Sequence, residues 1–229
     1  MRLRGLTSRI GNKWNMRKMI YPLIPDNFET YIEPFVGSGS IYFGLEQEMK
    51  NKKVVLNDLD QELMRIYILV EKGVIIVPVD SYETIQQLDR LTPQTEIEEL
   101  RNRMIKTCYT IGRRTNIHSI HTHPHIRSIG RYNYRANNLT RYREMLENAT
   151  LLSQDYIEVV EKYDDENAFF YLDPPYESSS HQHYKNVGVD YEKMAEILKS
   201  VKGRFLLSMN DSSSVRSYFS CFKIVPVCV

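Results

Sequence analysis

One short stretch, Asp173-Pro174-Pro175-Tyr176, limits the folds open to this chain more than any other. It follows the apolar and aromatic run 168–172, which has the pattern of a strand buried in a parallel sheet. Two consecutive prolines cannot continue a helix or a sheet ladder, so the chain must leave the sheet there. A carboxylate, a rigid carbonyl and an aromatic ring are thereby fixed at the carboxyl end of a strand, where open α/β sheets bind their ligands.

These three groups suit a planar amine as ligand. The carboxylate of Asp173 and a main-chain oxygen would accept the two hydrogens of the amine, and the ring of Tyr176 would stack on the base that carries it. The alternative is an Asp-Pro-Pro turn followed by a surface tyrosine. The preceding part of the chain favours the ligand site.

A strand, a glycine turn and the start of a helix form the first half of a nucleotide-binding unit, and a second strand follows. Residues 30–36 predict the first strand, Gly37-Ser38-Gly39 the turn, residues 41–45 the start of a helix, and residues 54–56 the second strand. Asp58 follows about 20 residues after the glycines, where an acid can bind the hydroxyls of a ribose. Alternatively Asp58 caps the helix that follows; the glycines and the acid together favour the ligand site.

The remaining strands of the sheet are predicted further along the chain. Residues 150–153 predict a third strand, followed by Asp155 and Tyr156, which could hold the adenine ring of a cofactor or belong to an ordinary loop. Asp190 is expected to cap a helix. Further strands are predicted at 204–208 and from residue 221 onward.

Length and composition indicate one large domain, or one domain with a sizeable insertion. The chain has 229 residues, of which 42% are hydrophobic, enough for a substantial core. The longest apolar run, 74–79, is too short for a membrane span, and no signal peptide is recognisable. Cys108, Cys221 and Cys228 have unrelated spacings, which argues against a disulfide framework and a zinc site. We therefore expect a cytoplasmic protein.

Positive charge is concentrated in two stretches of a chain whose net charge is only +1. Residues 101–143 contain ten Lys or Arg and no acid, and residues 1–25 contain six basic residues and no acid. Acids are found mainly at 80–99 and 155–166. A solvated charge run usually mixes signs, so this division favours an electropositive face that binds nucleic acid.

Helix signals crowd the region 74–148, which is predicted as a helical insertion carrying the basic stretch. Arginines interleaved with tyrosine and asparagine in residues 131–138 offer charge for phosphates, amides for base edges and rings for stacking. The residues predicted to bind nucleic acid are Arg113, Arg114, Arg127, Arg131, Asn133 and Arg135.

Four histidines in the same insertion raise the question of a metal site. Their neighbourhood contains no cysteine close by and no carboxylate that could serve as a ligand or orient one. We therefore expect no metal ion at this cluster, and we expect the histidines to face phosphates or solvent. The four are His118, His121, His123 and His125.

Together these motifs resemble the Dam-type DNA adenine methyltransferases over nearly the whole chain and in the family's order. The residues that carry the resemblance are Gly11, Lys13, Glu33–Gly39, Asn57-Asp58, Asp173–Tyr176 and Leu207–Asn210. The resemblance implies an α/β fold, a Rossmann-like class I methyltransferase sheet with helices on both faces. Residues 1–73 and 149–229 would form the catalytic domain, and 74–148 the helical target-recognition insertion.

The resemblance also implies transfer of a methyl group from S-adenosylmethionine to the N6 amine of adenine in double-stranded DNA. Asp58 would hold the cofactor ribose, Phe35 and the turn Gly37-Ser38-Gly39 would pack along its methionine part, and Lys13 would lie nearby. The catalytic residues would be Asp173, Pro174, Pro175 and Tyr176. We further expect a monomer or weak dimer of bacterial, phage or viral origin, without metal or membrane.

Two departures from the family pattern stand out. After Arg131-Tyr132-Asn133, the glycine and the Phe-Asn-Val-Pro segment common in the family are replaced by Ala136-Asn137-Asn138, which argues against a GATC target. The family sheet ends in an antiparallel hairpin, of which only the first arm is expected here. Two rival functions stay open: an RNA adenine methyltransferase with the same site, and a non-catalytic nucleic-acid-binding protein.

Overall fold

A computed structural model of the protein describes residues 2–8, 11–109, 126–176 and 189–227, apart from the side chains at 82, 109 and 126–128. One five-stranded sheet has the order β3-β2-β1-β4-β5. Its strands are β1 (Thr30–Glu33), β2 (Lys53–Asn57), β3 (Ala149–Leu152), β4 (Ala168–Leu172) and β5 (Arg204–Leu207). The β1–β2, β1–β4 and β4–β5 pairs are parallel. The predicted α/β, Rossmann-like sheet is confirmed.

Helices connect and cover the strands. They are α1 (Arg17–Ile20), α2 (Gln61–Glu71), α3 (Tyr82–Asp89), α4 (Glu96–Tyr109), α5 (Ile126–Ala136), α6 (Leu139–Leu146), α7 (Tyr156–Tyr163), α8 (Tyr191–Ser200) and α9 (Ser213–Tyr218). Short 3-10 turns occupy Lys13–Met16, Tyr21–Leu23 and Tyr42–Leu45. Asp190 caps α8 by accepting a hydrogen bond from Lys193 N at 3.0 Å, as the sequence predicts.

The chain divides into two compact units. The first unit contains residues 1–14, 37–47 and 60–151, and the second contains 15–36, 48–59 and 152–229. The predicted insertion, 74–148, falls wholly within the first unit, which also includes the glycine turn and α2. The boundaries of a target-recognition domain stay a prediction.

The core of the second unit lies on one face of the sheet. Alternate strand residues such as Ile32, Phe170 and Leu172 pack there against apolar side chains of α7, α8 and α9. On the opposite face, the Phe28 ring lies 5.4 Å from the Phe169 ring. All five residues of β4 are buried, as expected for a strand with neighbours on both sides.

The first unit has its own aromatic core. The ring of Phe43 stacks on Tyr67 at 5.9 Å and meets Tyr142 edge-on at 4.8 Å. Aromatic pairs in these arrangements add about 0.5–1.5 kcal/mol to the stabilisation that burial gives. These contacts join α2 and α6 to the 3-10 turn that follows the glycines.

Two elements differ from the sequence prediction. The strand predicted from residue 221 onward is wrong for the described residues, because 221–222 form a turn and 223–227 form no regular element. Pro226 cannot donate to a ladder, and Ile224 and Val225 are exposed. The helix predicted to start at Ile41 is a single 3-10 turn, Tyr42–Leu45, whose four residues are buried.

No helix in the described ranges has the length and apolar character that crossing a membrane requires.

Candidate active site and nucleic-acid interface

In the second unit, Asp173 lies where β4 ends. Leu172 pairs with Leu207 of the parallel strand β5, so Asp173 and Ser208 come next on their strands. Ser208 N donates to Leu172 O at 2.9 Å, and Ser208 Oγ donates to Asp173 Oδ1 at 2.8 Å. The sheet register thus places the Ser208 hydroxyl, a hydrogen-bond donor, beside the carboxylate of Asp173.

A tyrosine extends this contact into the sheet. The Tyr171 hydroxyl lies 3.3 Å from Ser208 Oγ. Burial, and then the charge of Asp173, hold the pKa of Tyr171 well above its usual value. The phenol therefore keeps its proton at neutral pH and can act as a donor.

The segment after Asp173 is fixed by the prolines and by α8. Pro174 is buried, and the Pro175 carbonyl accepts a hydrogen bond from the Tyr191 hydroxyl at 2.5 Å. Tyr176 is half-buried. The four predicted catalytic residues therefore follow one another at the carboxyl end of β4, while their roles stay predictions.

Asn57 ties the ends of neighbouring strands together in the same unit. Its Nδ2 donates to Pro34 O at 2.9 Å and to Gln154 O at 3.0 Å, and its Oδ1 accepts from Gln154 N at 2.8 Å. The side chain is almost fully buried, so these bonds satisfy an amide that would otherwise be costly. The sequence alone does not predict this role of Asn57.

An aromatic pair lies beside these strand ends. The rings of Phe35 and Tyr156 are 5.2 Å apart and tilted by 34°. The Tyr156 hydroxyl is buried and has no hydrogen-bond partner within the described residues; burial raises its pKa to about 12. A buried hydroxyl without a partner is uncommon, and a polar atom of a ligand would satisfy it. A flat polar ring such as adenine fits this environment.

Two predicted acids turn out differently. The cap of α2 is Asp60, which accepts from Leu63 N at 3.1 Å, so the alternative that Asp58 is this cap is wrong. The ribose role of Asp58 stays a prediction. Asp155 is exposed and caps α7 by accepting from Ile157 N at 2.8 Å, while its cofactor role stays a prediction.

The glycine turn belongs to the first unit and needs its glycines. Gly37 and Gly39 have φ of 50° and 66°, in the left-handed region. A Cβ at Gly39 would lie 2.6 Å from the Phe43 ring and 2.7 Å from the Tyr67 hydroxyl. That hydroxyl also donates to Gly37 O at 3.0 Å, so no larger residue fits at position 39.

The amino-terminal segment braces this turn. Ser38 O accepts from Leu6 N at 2.8 Å, and Ser38 Oγ accepts from Asn12 at 3.1 Å. Lys13 is buried; its Nζ donates to Gly11 O at 2.9 Å and its backbone N to Ser40 Oγ at 3.2 Å. Lys13 therefore lies beside the turn, as the resemblance implies, while its cofactor contact stays a prediction.

The predicted nucleic-acid residues fall into three groups. Arg113, Arg114, the side chain of Arg127 and the four histidines lie outside the described part of the chain. Arg131 is exposed. The third group, Asn133 and Arg135, is used inside the first unit.

Asn133 and Arg135 hold together parts of the first unit. Asn133 accepts from Val79 N at 2.9 Å and donates to Val79 O at 2.7 Å. Arg135 is 6% exposed and donates to Leu6 O at 2.7 Å and to Arg131 O at 3.0 Å. These placements correct the expectation that both side chains face DNA, because their polar groups are engaged with backbone atoms.

Acids from elsewhere in the first unit neutralise part of the basic stretch. Arg103 lies 2.9 Å from Glu99, and Arg141 lies 2.5 Å from Glu46. Hydrogen bonds from Arg65 and Arg103 lower the pKa of Glu99 to about 2. The segment that is purely basic in sequence is therefore mixed in charge where it folds.

Comparison with known proteins assigns the family. The model of the D12 class N6 adenine-specific DNA methyltransferases matches residues 10–111 and 104–228. The type II methyltransferase M.MjaIII of Methanocaldococcus jannaschii is 29% identical over 176 residues, covering 66% of this chain and 59% of that relative's length. M.CviBI of Paramecium bursaria Chlorella virus NC1A is 24% identical over 91% of this chain and 84% of its own. M1.LlaDCHI of Lactococcus lactis subsp. cremoris is 24% identical over 92% of this chain and 82% of its own length.

The family model covers nearly the whole chain. This confirms the predicted resemblance to Dam-type enzymes and the class I fold. The chain belongs to the D12 class of N6 adenine-specific DNA methyltransferases.

Proposed function

We propose that this chain transfers a methyl group from S-adenosylmethionine to the N6 amine of adenine in double-stranded DNA, using Asp173 as the acceptor that orients the amine. The observation that supports this best is the carboxylate at the end of β4, held by Ser208 and followed by a segment that Tyr191 holds through Pro175. Acceptors fixed in this way can bind a planar amine without reorganising.

Asp173 and the Pro174 carbonyl would each accept one hydrogen of the amine. This orients the nitrogen lone pair, and positioning of this kind supplies a large part of the rate enhancement. S-adenosylmethionine, when bound, would supply the activated methyl group: a C–N bond would form as the C–S bond breaks, the electron pair of that bond would remain on sulfur, and the amine would lose one proton to solvent. Neither a metal nor a covalent enzyme intermediate is required.

The target adenine would be flipped out of the duplex. Flipping costs roughly a few kcal/mol, which stacking on Tyr176 and phosphate contacts would offset. Arg131 is the exposed candidate for such a contact, together with Arg113, Arg114 and Arg127 from the prediction.

The cofactor assignments rest on the family and on separate observations in each unit. Asp58 is assigned to the ribose, now that Asp60 accounts for the helix cap, and Phe35 with Tyr156 to the adenine ring. Lys13, Gly37, Ser38 and Gly39 keep the role that the resemblance implies, along the methionine part. We expect the protein to act as a monomer or weak dimer in the cytoplasm.

A methylation assay on matched substrates tests this proposal. Duplex DNA, single-stranded DNA and RNA of one mixed sequence would be incubated with the protein and S-adenosylmethionine, and the hydrolysed nucleosides analysed by mass spectrometry. N6-methyladenine formed chiefly in duplex DNA is the expected result. Methylation of RNA alone, or cofactor binding without methylation of any substrate, would contradict it.

A further inference from the structure

The Ser208 side chain has a contact that the sheet ladder does not need. The backbone N of Ser208 already bonds Leu172 O at 2.9 Å, which any residue other than proline would do at this position. The hydroxyl is additional, and it lies 2.8 Å from Asp173 Oδ1.

The direction of this contact follows from counting protons. A serine hydroxyl has one proton, and the carboxylate of Asp173 is much closer than the Leu172 carbonyl, which lies 3.5 Å from Ser208 Oγ. The proton therefore points to Asp173, because bonds to charged acceptors are the stronger ones. The 3.3 Å contact with Tyr171 must then have the tyrosine as its donor.

The result is a short chain of donors, from Tyr171 to Ser208 to Asp173. Tyr171 is fully buried, and its raised pKa keeps it protonated. Consecutive hydrogen bonds polarise one another, so the tyrosine strengthens the bond that serine donates. Asp173 is thus bonded through Oδ1 to a hydroxyl that is itself fixed by a rigid ring in the sheet.

We propose that Ser208 is a positioning residue for methyl transfer, which fixes the orientation of the Asp173 carboxylate toward the amine, with Tyr171 supporting it. This rests on the proposed role of Asp173. Ser208 need not touch the base or the cofactor; it acts through Asp173. A displacement of about 1 Å at a reacting group can lower a rate by about 100-fold, so a lost orienting bond has a measurable effect.

Three variants test this inference: Ser208→Ala removes the hydroxyl, Ser208→Thr keeps it, and Tyr171→Phe removes only the upstream donor. Single-turnover methylation of duplex DNA, KM for both substrates and the thermal midpoint would be measured for each. Ser208→Ala is expected to lower the rate about 10- to 100-fold while KM changes less than about twofold.

Ser208→Thr should recover most of the rate, and Tyr171→Phe should lose less than Ser208→Ala because the serine bond remains. A wild-type rate in Ser208→Ala, an equal loss in Ser208→Thr, or a change confined to KM would overturn the inference. Inactivity of the wild-type protein on adenine would refute the proposed function, and this inference with it. An active wild type, an inactive Asp173→Ala and a normal Ser208→Ala would refute the inference alone.

Discussion

The carboxyl edge of β4 and β5 and the basic stretch of the first unit were both identified from the sequence, but they behave differently in the structure. At the strand edge, Asp173 lies where the Pro-Pro motif predicts it, with Ser208 opposite. In the basic stretch, Arg135 is buried, Arg103 bonds Glu99 one turn earlier on α4 and Glu62 of α2, and Arg141 bonds Glu46.

The difference has a physical cause. A strand end followed by two prolines leaves the chain few conformations, so residue order nearly determines geometry. A run of charges on helices has no such restriction, because helix periodicity turns part of the run inward and distant acids pack against the rest. A motif at a strand end therefore predicts the position of a side chain more reliably than a count of charges predicts a surface.

The largest expected effect tests the site predicted at the carboxyl edge of β4 and β5. Asp173→Ala should lower the methylation rate by about 10³-fold, because one preorganised group facing the reacting centre contributes about that much. Asp173→Asn should also lose most of the rate, because a neutral amide replaces the charged acceptor. Quenched-flow methylation with radiolabelled cofactor would measure both.

The control is Asp26→Ala, which removes an exposed acid of the same unit. It should methylate at the wild-type rate. An active Asp173→Ala variant would mean that the strand-end motif is a turn, the alternative that the sequence alone left open.

The second effect concerns stability and tests the basic stretch of the first unit. Arg135→Ala should lower the free energy of unfolding by about 1.5–3 kcal/mol, since it removes charged hydrogen bonds to Leu6 O and Arg131 O in a buried place. Arg131→Ala, on the same helix but exposed, should change it by less than about 0.5 kcal/mol. Urea denaturation followed by circular dichroism gives the free energy of unfolding of both variants. Equal losses would show that the burial of Arg135 does not make it more important for stability than Arg131.

The sheet could be predicted from the sequence because its strands are short, mostly apolar runs that are followed by polar residues or proline. For Arg135 the prediction failed because a partner distant in sequence decided the outcome, whereas the choice between Asp58 and Asp60 is local. Asp58 and Asp60 are equally plausible caps by sequence, and Arg135 reads as a surface arginine until Leu6 is placed beside it. The contact between Ser208 and Asp173 could have been found by aligning Leu207 with Leu172 as parallel neighbours.

The third effect separates two acids that lie close in sequence. Asp58→Ala should weaken S-adenosylmethionine binding by about 1.5–3 kcal/mol, the contribution of a hydrogen bond to a charged group, with little change in stability. Asp60→Ala should leave cofactor affinity unchanged and lower stability by about 1 kcal/mol through loss of the α2 cap. Calorimetry measures the cofactor affinity of both variants, and thermal melting measures their stability. Wild-type affinity in a folded Asp58→Ala variant would place the ribose acid elsewhere.

The smallest effect concerns DNA affinity and returns to the basic stretch. If Arg131 neutralises one phosphate, Arg131→Gln should flatten the log–log dependence of binding on salt by about 0.9, and weaken binding to all sequences alike. Lys199→Gln, an exposed change on α8, should leave the slope unchanged. Methylation rates on cognate and single-mismatch duplexes at two salt concentrations decide what Arg131 contacts. A loss confined to the cognate duplex would indicate a base contact, with about 1–3 kcal/mol of discrimination, and an unchanged slope would remove Arg131 from the interface altogether.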